Sequence, residues 1–470
     1  MTRIAVATAL LFVLLLAPVS YAADPVLVAI GSISPFYEDF AVQTAGPLEN
    51  GIPGNRLGGI GSALAYLGGD LFLALPDRGP NAKPYAKCLD DTASYINRFH
   101  TLHMTLAPSD PGSVLPFTLT PMLVATTLLS SRTPLVYGSG CDGVGSGVPP
   151  LNAIDRTYYF TGRSDNFEIG PTSTHPRNGR LDTEGIRVSN DLRHVYISDE
   201  YGPYVYEFDR LSGQRTRAFL LPPKFAVNHL SAVGANEISG NVSGRVGNKG
   251  MEGLAITPNG RTLVGAMQSP LLQDGGTDTG QNVRLVAIDI ATGKTREFAY
   301  HLDSVKTTIS EILAINNHEF LVDERDSKGF VDAADSVAVV KKLYKIDLQA
   351  AADVSEISGN LNLAAKAVPK ELFLDVVAAL NANGIQSFAV PAKLEGIAFG
   401  QDIVVGDVVK HTLYIANDND YTPVVPNVNY PTGAAENPNK FFVFAFDAAD
   451  LPEYISQQIR TGRRDDDEDR

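Results

Sequence analysis

The residues that could do chemistry in this chain are acids, and they recur. Glu184, Glu252, Glu311 and Glu395 each open a short apolar run, three of them directly before Gly. Further along each unit a second run ends in acids, amides or a cation: Asp199-Glu200, Gln268, Asp323-Glu324-Arg325 and Asn417-Asp418-Asn419-Asp420. Asp77-Arg78 holds the same place in an earlier, divergent copy. Carboxylates gathered this densely cannot all stay ionised without a counter-charge. Ca²⁺, which takes six to eight oxygen ligands at flexible angles, answers that need, with another divalent metal as the alternative. Arg78, Lys249 and Arg325 lie in the same segments. They could pair with the carboxylates or, for the guanidinium groups, grip an anionic substrate through two hydrogen bonds.

The elements that must position these acids read as short strands. Residues 195–198, 204–208, 284–289, 343–347 and 441–447 are β-branched and aromatic, and turn residues bound them. The recurring unit is an acid-led inner strand, a Pro/Asn/Asp/Gly turn, a second strand ending in acids or amides, and a third ending in Asp. Four copies are clear and a fifth starts near Gly58-Gly59-Ile60. Four strands per unit, repeated, describe an all-β propeller of antiparallel blades around a central channel. The unit starts lie roughly 60 to 85 residues apart, longer than the repeats of common propellers, so the loops are long. Six blades are expected, with five or seven as alternatives; a sixth would combine residues 26–30 with C-terminal sequence, and residues 158–161 could also contribute. Residues 371–381 read as a helix decorating a loop. In a blade the start of the first strand lies beside the end of the second. Both sets of acids therefore meet at one mouth of the channel: Glu184, Glu252, Glu311 and Glu395 with Asp77, Asp199, Glu200, Asp323, Glu324 and Asp418. The third-strand acids Asp209, Asp289, Asp347 and Asp447 belong to turns at the other end.

Composition narrows the function. The chain has 53 Asp and Glu against 38 Lys and Arg, a net charge of −15, which argues against nucleic acid as a partner. Arg3, the apolar residues 4–17 and Ser20-Tyr21-Ala22 form an export signal over residues 1–22. The remainder is expected to be one propeller domain over residues 24–455, monomeric, free of the membrane and periplasmic or secreted, with a charged disordered tail over 456–470. The two cysteines, Cys88 and Cys141, sit in irregular sequence and are expected to be bridged in an oxidising compartment. No Gly-x-Ser-x-Gly nucleophile elbow occurs; in residues 143–147 the Ser comes one place late. His100 and His103, three apart in a strand, face opposite sides and do not make a metal pair.

At its motifs the chain resembles the phytase-like family known as "esterase-like activity of phytase". The matching stretches are Leu75-Pro76-Asp77-Arg78-Gly79-Pro80-Asn81, Thr183-Glu184-Gly185-Ile186, Ser198-Asp199-Glu200-Tyr201-Gly202 and Asn248-Lys249-Gly250-Met251-Glu252-Gly253-Leu254. They continue with Ile309-Ser310-Glu311-Ile312, Phe320-Leu321-Val322-Asp323-Glu324-Arg325 and Lys393-Leu394-Glu395-Gly396-Ile397, so the resemblance runs from about residue 58 to 447. It implies a hydrolase of phosphate or carboxyl esters. Glu252 or Glu184 would then act as general base, and Arg78 or Arg325 would hold the anion. The acidic repeat starts also resemble the metal-ligand motif of calcium-dependent lactonase propellers. A lactonase, or a non-catalytic ligand- or protein-binding propeller pinned by Ca²⁺, is the alternative.

Overall fold

The computed structural model describes residues 25–81, 89–90, 92–138 and 156–460. The proposed export signal, Cys88, Cys141 and residues 461–470 lie outside these. Five four-stranded antiparallel sheets form the ring of a β-propeller. Blade one comprises Ala63–Gly68, Leu71–Leu75, Arg98–Pro108 and Phe117–Leu128. Blade two comprises Thr183–Val188, His194–Asp199, Tyr204–Asp209 and Arg215–Leu220. Blade three comprises Met251–Ile256, Thr262–Met267, Asn282–Asp289 and Thr295–His301. Blade four comprises Thr308–Ala314, Glu319–Arg325, Lys341–Asp347 and Lys370–Asp375. In blade five Leu394–Phe399, Val408–Asn417 and Asn439–Phe446 are completed by the N-terminal strand Val26–Ile33, which pairs antiparallel with Asn439–Phe446.

That pairing joins the first and last strands of the described chain in one sheet and closes the ring at five, the lowest of the counts the repeats allow. The strand expected to seed a sixth blade is the outer strand of the fifth. Tyr158–Tyr159 pairs instead with Ser130–Ser131, outside any blade. Residues 371–381 are only half helical. Pairing with Lys341–Asp347 draws Lys370–Asp375 into blade four, and the helix Val376–Ala382 starts after it. The Asp375 carboxylate caps that helix by accepting from the Ala378 amide at 3.0 Å.

The core lies between blades, because each sheet buries both faces against its neighbours. In Asn439–Phe446 the alternation is visible residue by residue: Phe442, Phe444 and Phe446 pack with blade four, Phe441, Val443 and Ala445 with blade one. Inner strands crowd the axis. A Cβ on Gly253 would come within 2.8 Å of the Ile312 nitrogen of the next blade, and one on Gly396 within 2.8 Å of the Gly61 carbonyl. Glycine at these positions is thus a requirement of close approach. Among the described residues no helix is long and apolar enough to cross a membrane.

Candidate functional site

A β-bulge sets the site. In blade three Met251 pairs with Met267 and Gly253 with Ala266, so Glu252 is the extra residue. In blade five Leu394 pairs with Asn417 and Gly396 with Ala416, which makes Glu395 the extra residue. Blade two has its irregularity between Thr183 and Ile186, around Glu184. A bulge re-aims a side chain out of the ladder, and here it turns an acid toward the channel mouth.

Blade four shares the bulge but not the acid. Ile309 pairs with Glu324 and Glu311 with Asp323, so the extra residue is Ser310. Glu311 stands one place further in, where blades two, three and five carry Gly. Its carboxylate is fully buried, accepts from the Leu254 and Ile312 amides at 2.8 and 2.9 Å, and pairs with Arg187 at 3.0 Å. It is committed to holding inner strands together.

The same register sorts the acids at the second-strand ends. The residue just past the pair that precedes each bulge is Glu200 in blade two, Gln268 in three, Arg325 in four, where the ladder runs one pair further to Thr308, and Asp418 in five. Asp199 lies one residue earlier and caps a loop, accepting from the Asp182, Tyr201 and Gly202 amides at 2.8, 3.1 and 2.7 Å. Glu324 faces away from the channel. It accepts from Tyr300, Thr307 and the Asp303 amide and pairs with Lys370 at 2.7 Å. Asp323 is buried a residue deeper than the mouth; burial pushes its carboxyl well up, with Arg325 and Lys341 opposing.

What remains converges. Carboxylate oxygens of Glu184, Glu200 and Glu252 lie within 4.8 Å of one another, as do those of Asp77, Asp182 and Glu184, and those of Asp77, Asp418 and Asp420. Blades one, two, three and five thus contribute to one chain of acids. Glu200 and Glu252 are 1% and 3% exposed. Glu200 Oε1 and Glu252 Oε2 are buried and meet no protein donor. Burial, then the neighbouring Glu252, holds the Glu184 and Glu200 carboxyls well above the usual range. Burial and Glu395 push Glu252 up to about 7. Burial and Asp182 push Asp77 up to about 7, and burial raises Asp182 to about 6.

Cations serve the rest of the mouth. Arg325 pairs with Glu395 and donates to Ser310. Lys393 pairs with Asp418 at 2.7 Å and Asp420 at 2.6 Å, and lies 3.8 Å from Asp77. Arg78 pairs with Asp182 at 3.0 Å and donates to Asn248. Lys249 donates to Gln268 at 2.7 Å. Asn419 is spent on structure, accepting from the Gly59 amide at 2.8 Å.

Asp182, Lys393 and Asp420 were not singled out as site residues by the repeat pattern. Each stands two residues from one that was: Asp182 before Glu184, Lys393 before Glu395, Asp420 after Asp418. For Asp182 and Lys393, which lead into inner strands, that spacing in extended chain returns a side chain to the same face; Asp420 instead lies in a turn at φ 49°.

The residues at the mouth fit a hard cation. Buried carboxylate oxygens without donors converge from blades two and three: Asp182 Oδ1, Glu200 Oε1 and Glu252 Oε2. Fold and site together define a five-bladed propeller with an acidic channel mouth. The chain belongs to the phytase-like family described as "esterase-like activity of phytase", whose model matches residues 55–421. It is 29% identical over 335 residues to an "uncharacterized secreted protein" of Arthroderma benhamiae, covering 58% of this chain. The chain spans about 60% of the length of that curated relative. Among solved structures it is similar to the periplasmic gluconolactonase of Pseudomonas aeruginosa, at 12% identity and TM-score 0.32, covering 90% of this chain and 99% of that one. It is also similar to Kuenenia stuttgartiensis hydrazine synthase, at 9% identity and TM-score 0.29, covering 87% and 81%. No function is read from either likeness.

Proposed function

We propose that the channel mouth binds a divalent cation, Ca²⁺ foremost, and that the protein is a metal-dependent hydrolase of phosphate or carboxyl esters. The observation that carries this reading is the junction of blades two and three, where Glu184, Glu200 and Glu252 crowd together, buried, and where Glu200 Oε1 and Glu252 Oε2 meet no protein donor. Glu184, Glu200 and Glu252 would hold the ion, with Asp77 and Asp182 beside them. When bound, such an ion polarises an ester oxygen and makes water a better nucleophile. The chain's own groups supply the rest. Arg78, at the edge of the cluster, orients a polar or anionic part of the substrate. Glu252, kept ionised by the ion beside it, accepts a proton from the attacking water. Arg325, already paired with Glu395, bounds the site on the side of blade four.

Export fits the basic, apolar and small-residue pattern of residues 1–22 and the description of the fungal relative as secreted. The test is a hydrolase screen on the purified protein with added Ca²⁺, covering phosphate monoesters, short acyl esters and lactones, with calcium binding followed by calorimetry. Metal-dependent turnover of either ester class, lost in Glu252→Gln, supports the reading. Turnover of lactones alone would assign a lactonase. Calcium binding with no turnover would assign a binding propeller pinned by its ion.

A further inference from the structure

The other end of the channel is built differently. Inner strands run away from the acidic mouth and finish at Val188, Ile256 and Phe399. Across this end passes a strap, residues 451–460, part of which the sequence groups with the charged tail. The Ile455 amide donates to the Ile315 carbonyl at 2.9 Å, Gln458 to Pro258 at 3.0 Å and Arg460 to Asn190 at 2.6 Å. The strap thus ties together the far turns of blades four, three and two. Between it and blades one and five lies a cavity of about 680 Å³, within the size range of small-molecule sites.

Its walls are apolar: Leu64, Leu67, Ile256, Leu313 and Phe399. Among its polar lining residues, the Arg187 guanidinium is already neutralised by Glu311 at 3.0 Å, and Gln401 and Gln457 are uncharged. Tyr66, Tyr454, Asp402 and His411 all line it. Tyr454 packs against Phe399 at 4.5 Å and His411 at 4.8 Å between ring centres. The Asp402 carboxylate pairs with His411 Nδ1 at 2.7 Å yet keeps half its side chain exposed. Asp402 also lies near enough to both phenols to act on them: burial first, then Asp70 and Asp402, raises Tyr66, and burial, then Asp402, raises Tyr454.

We infer that this far cavity is a second ligand site, which takes an organic cation with an apolar body. The apolar part lies along the channel walls. The ammonium sits among the faces of Tyr66 and Tyr454 and the Asp402 carboxylate, where cation–π and ionic attraction act together. An anion of the same shape meets Asp402 and nearby Asp70 and is refused. The assignment does not depend on the ester reading of the mouth.

Hexyltrimethylammonium and hexane-1-sulfonate, titrated calorimetrically into the full chain, test it. The ammonium is expected to bind and the sulfonate not. Asp402→Asn is expected to weaken the ammonium about tenfold and Tyr66→Leu about threefold. Both positions are partly exposed, and thermal unfolding of each variant checks that the fold is kept. Glu252→Gln at the opposite mouth is expected to leave the ammonium affinity unchanged. Equal binding of cation and anion, binding of neither, or full affinity in Asp402→Asn overturns the assignment. So does loss in Glu252→Gln with none in Asp402→Asn, which would place the cation in the acidic mouth.

Discussion

Two junctions of this ring share a bulged register and differ in charge: one is acidic, the other neutral. Where blade two meets blade three, the residue past the second strand is Glu200 and the bulged residue of the next blade is Glu252. Where blade four meets blade five, the same two places hold Arg325 and Glu395. The second junction is a buried ion pair and carries its own counter-charge. The first is two buried carboxylates with Glu184 beside them. A single exchange of Glu for Arg at one register position thus separates a self-sufficient structural contact from a site that requires something else. Catalytic or binding capacity in such a ring lies where the repeat leaves charge uncompensated.

The sharpest way to break this comparison is to remove the cation that completes the neutral junction. Arg325→Met leaves Glu395 buried and unpaired, and is expected to cost about 3–5 kcal/mol in urea unfolding. Glu200→Gln, at the matching place of the acidic junction, removes like-charge repulsion and is expected to raise the stability of the metal-free protein by about 1 kcal/mol. Losses of the same sign and size would show that the two junctions are electrostatically alike.

Calcium sharpens the contrast next. Binding to the folded state alone stabilises by about 2.7 kcal/mol at one hundred times Kd, so the melting temperature should rise with added Ca²⁺ and fall back on chelation. The metal-free protein should also respond to pH in a defined direction. Asp77 and Glu252 are held at about 7 and Asp182 at about 6, against about 4 in an unfolded chain. Between those values the folded state binds more protons, so stability falls as pH rises from about 4 to 7. Melting curves across this range, with and without Ca²⁺, should diverge as pH rises. A metal-free melting temperature that climbs through that window contradicts the account.

Much of the fold was legible because period-2 apolar runs and acid-led repeats are local patterns. The blade count was less so. Whether the N-terminal strand starts a sixth blade or completes the fifth depends on pairing with Asn439–Phe446, some four hundred residues away, which no local pattern encodes. The gathering of acids at one end followed from antiparallel pairing, and Asp77, Glu184, Glu200, Glu252 and Asp418 do gather. What the sequence hid was register. Glu311 looks equivalent to Glu252 in a list of repeat starts, yet a bulge at Ser310 shifts it by one residue and turns it into the channel wall. Glu324, next to Asp323 in an unbroken strand, falls on the opposite face by the ordinary alternation of side chains. The smallest expected effect follows. Gln at Glu324, whose partners lie between the outer strands, should leave calcium affinity unchanged, as should Asp289→Asn in a third-strand turn, where Asp289 accepts from the Thr292 amide at 2.7 Å.

The central claim is that the junction of blades two and three is a cation site. Calcium titration by calorimetry of the wild type, Glu200→Gln, Glu252→Gln and Asp289→Asn tests it most directly. The account predicts binding in the wild type and in Asp289→Asn, weakened about tenfold or more in the two junction variants. Absence of binding in the wild type, or equal affinity in all four proteins, would contradict it.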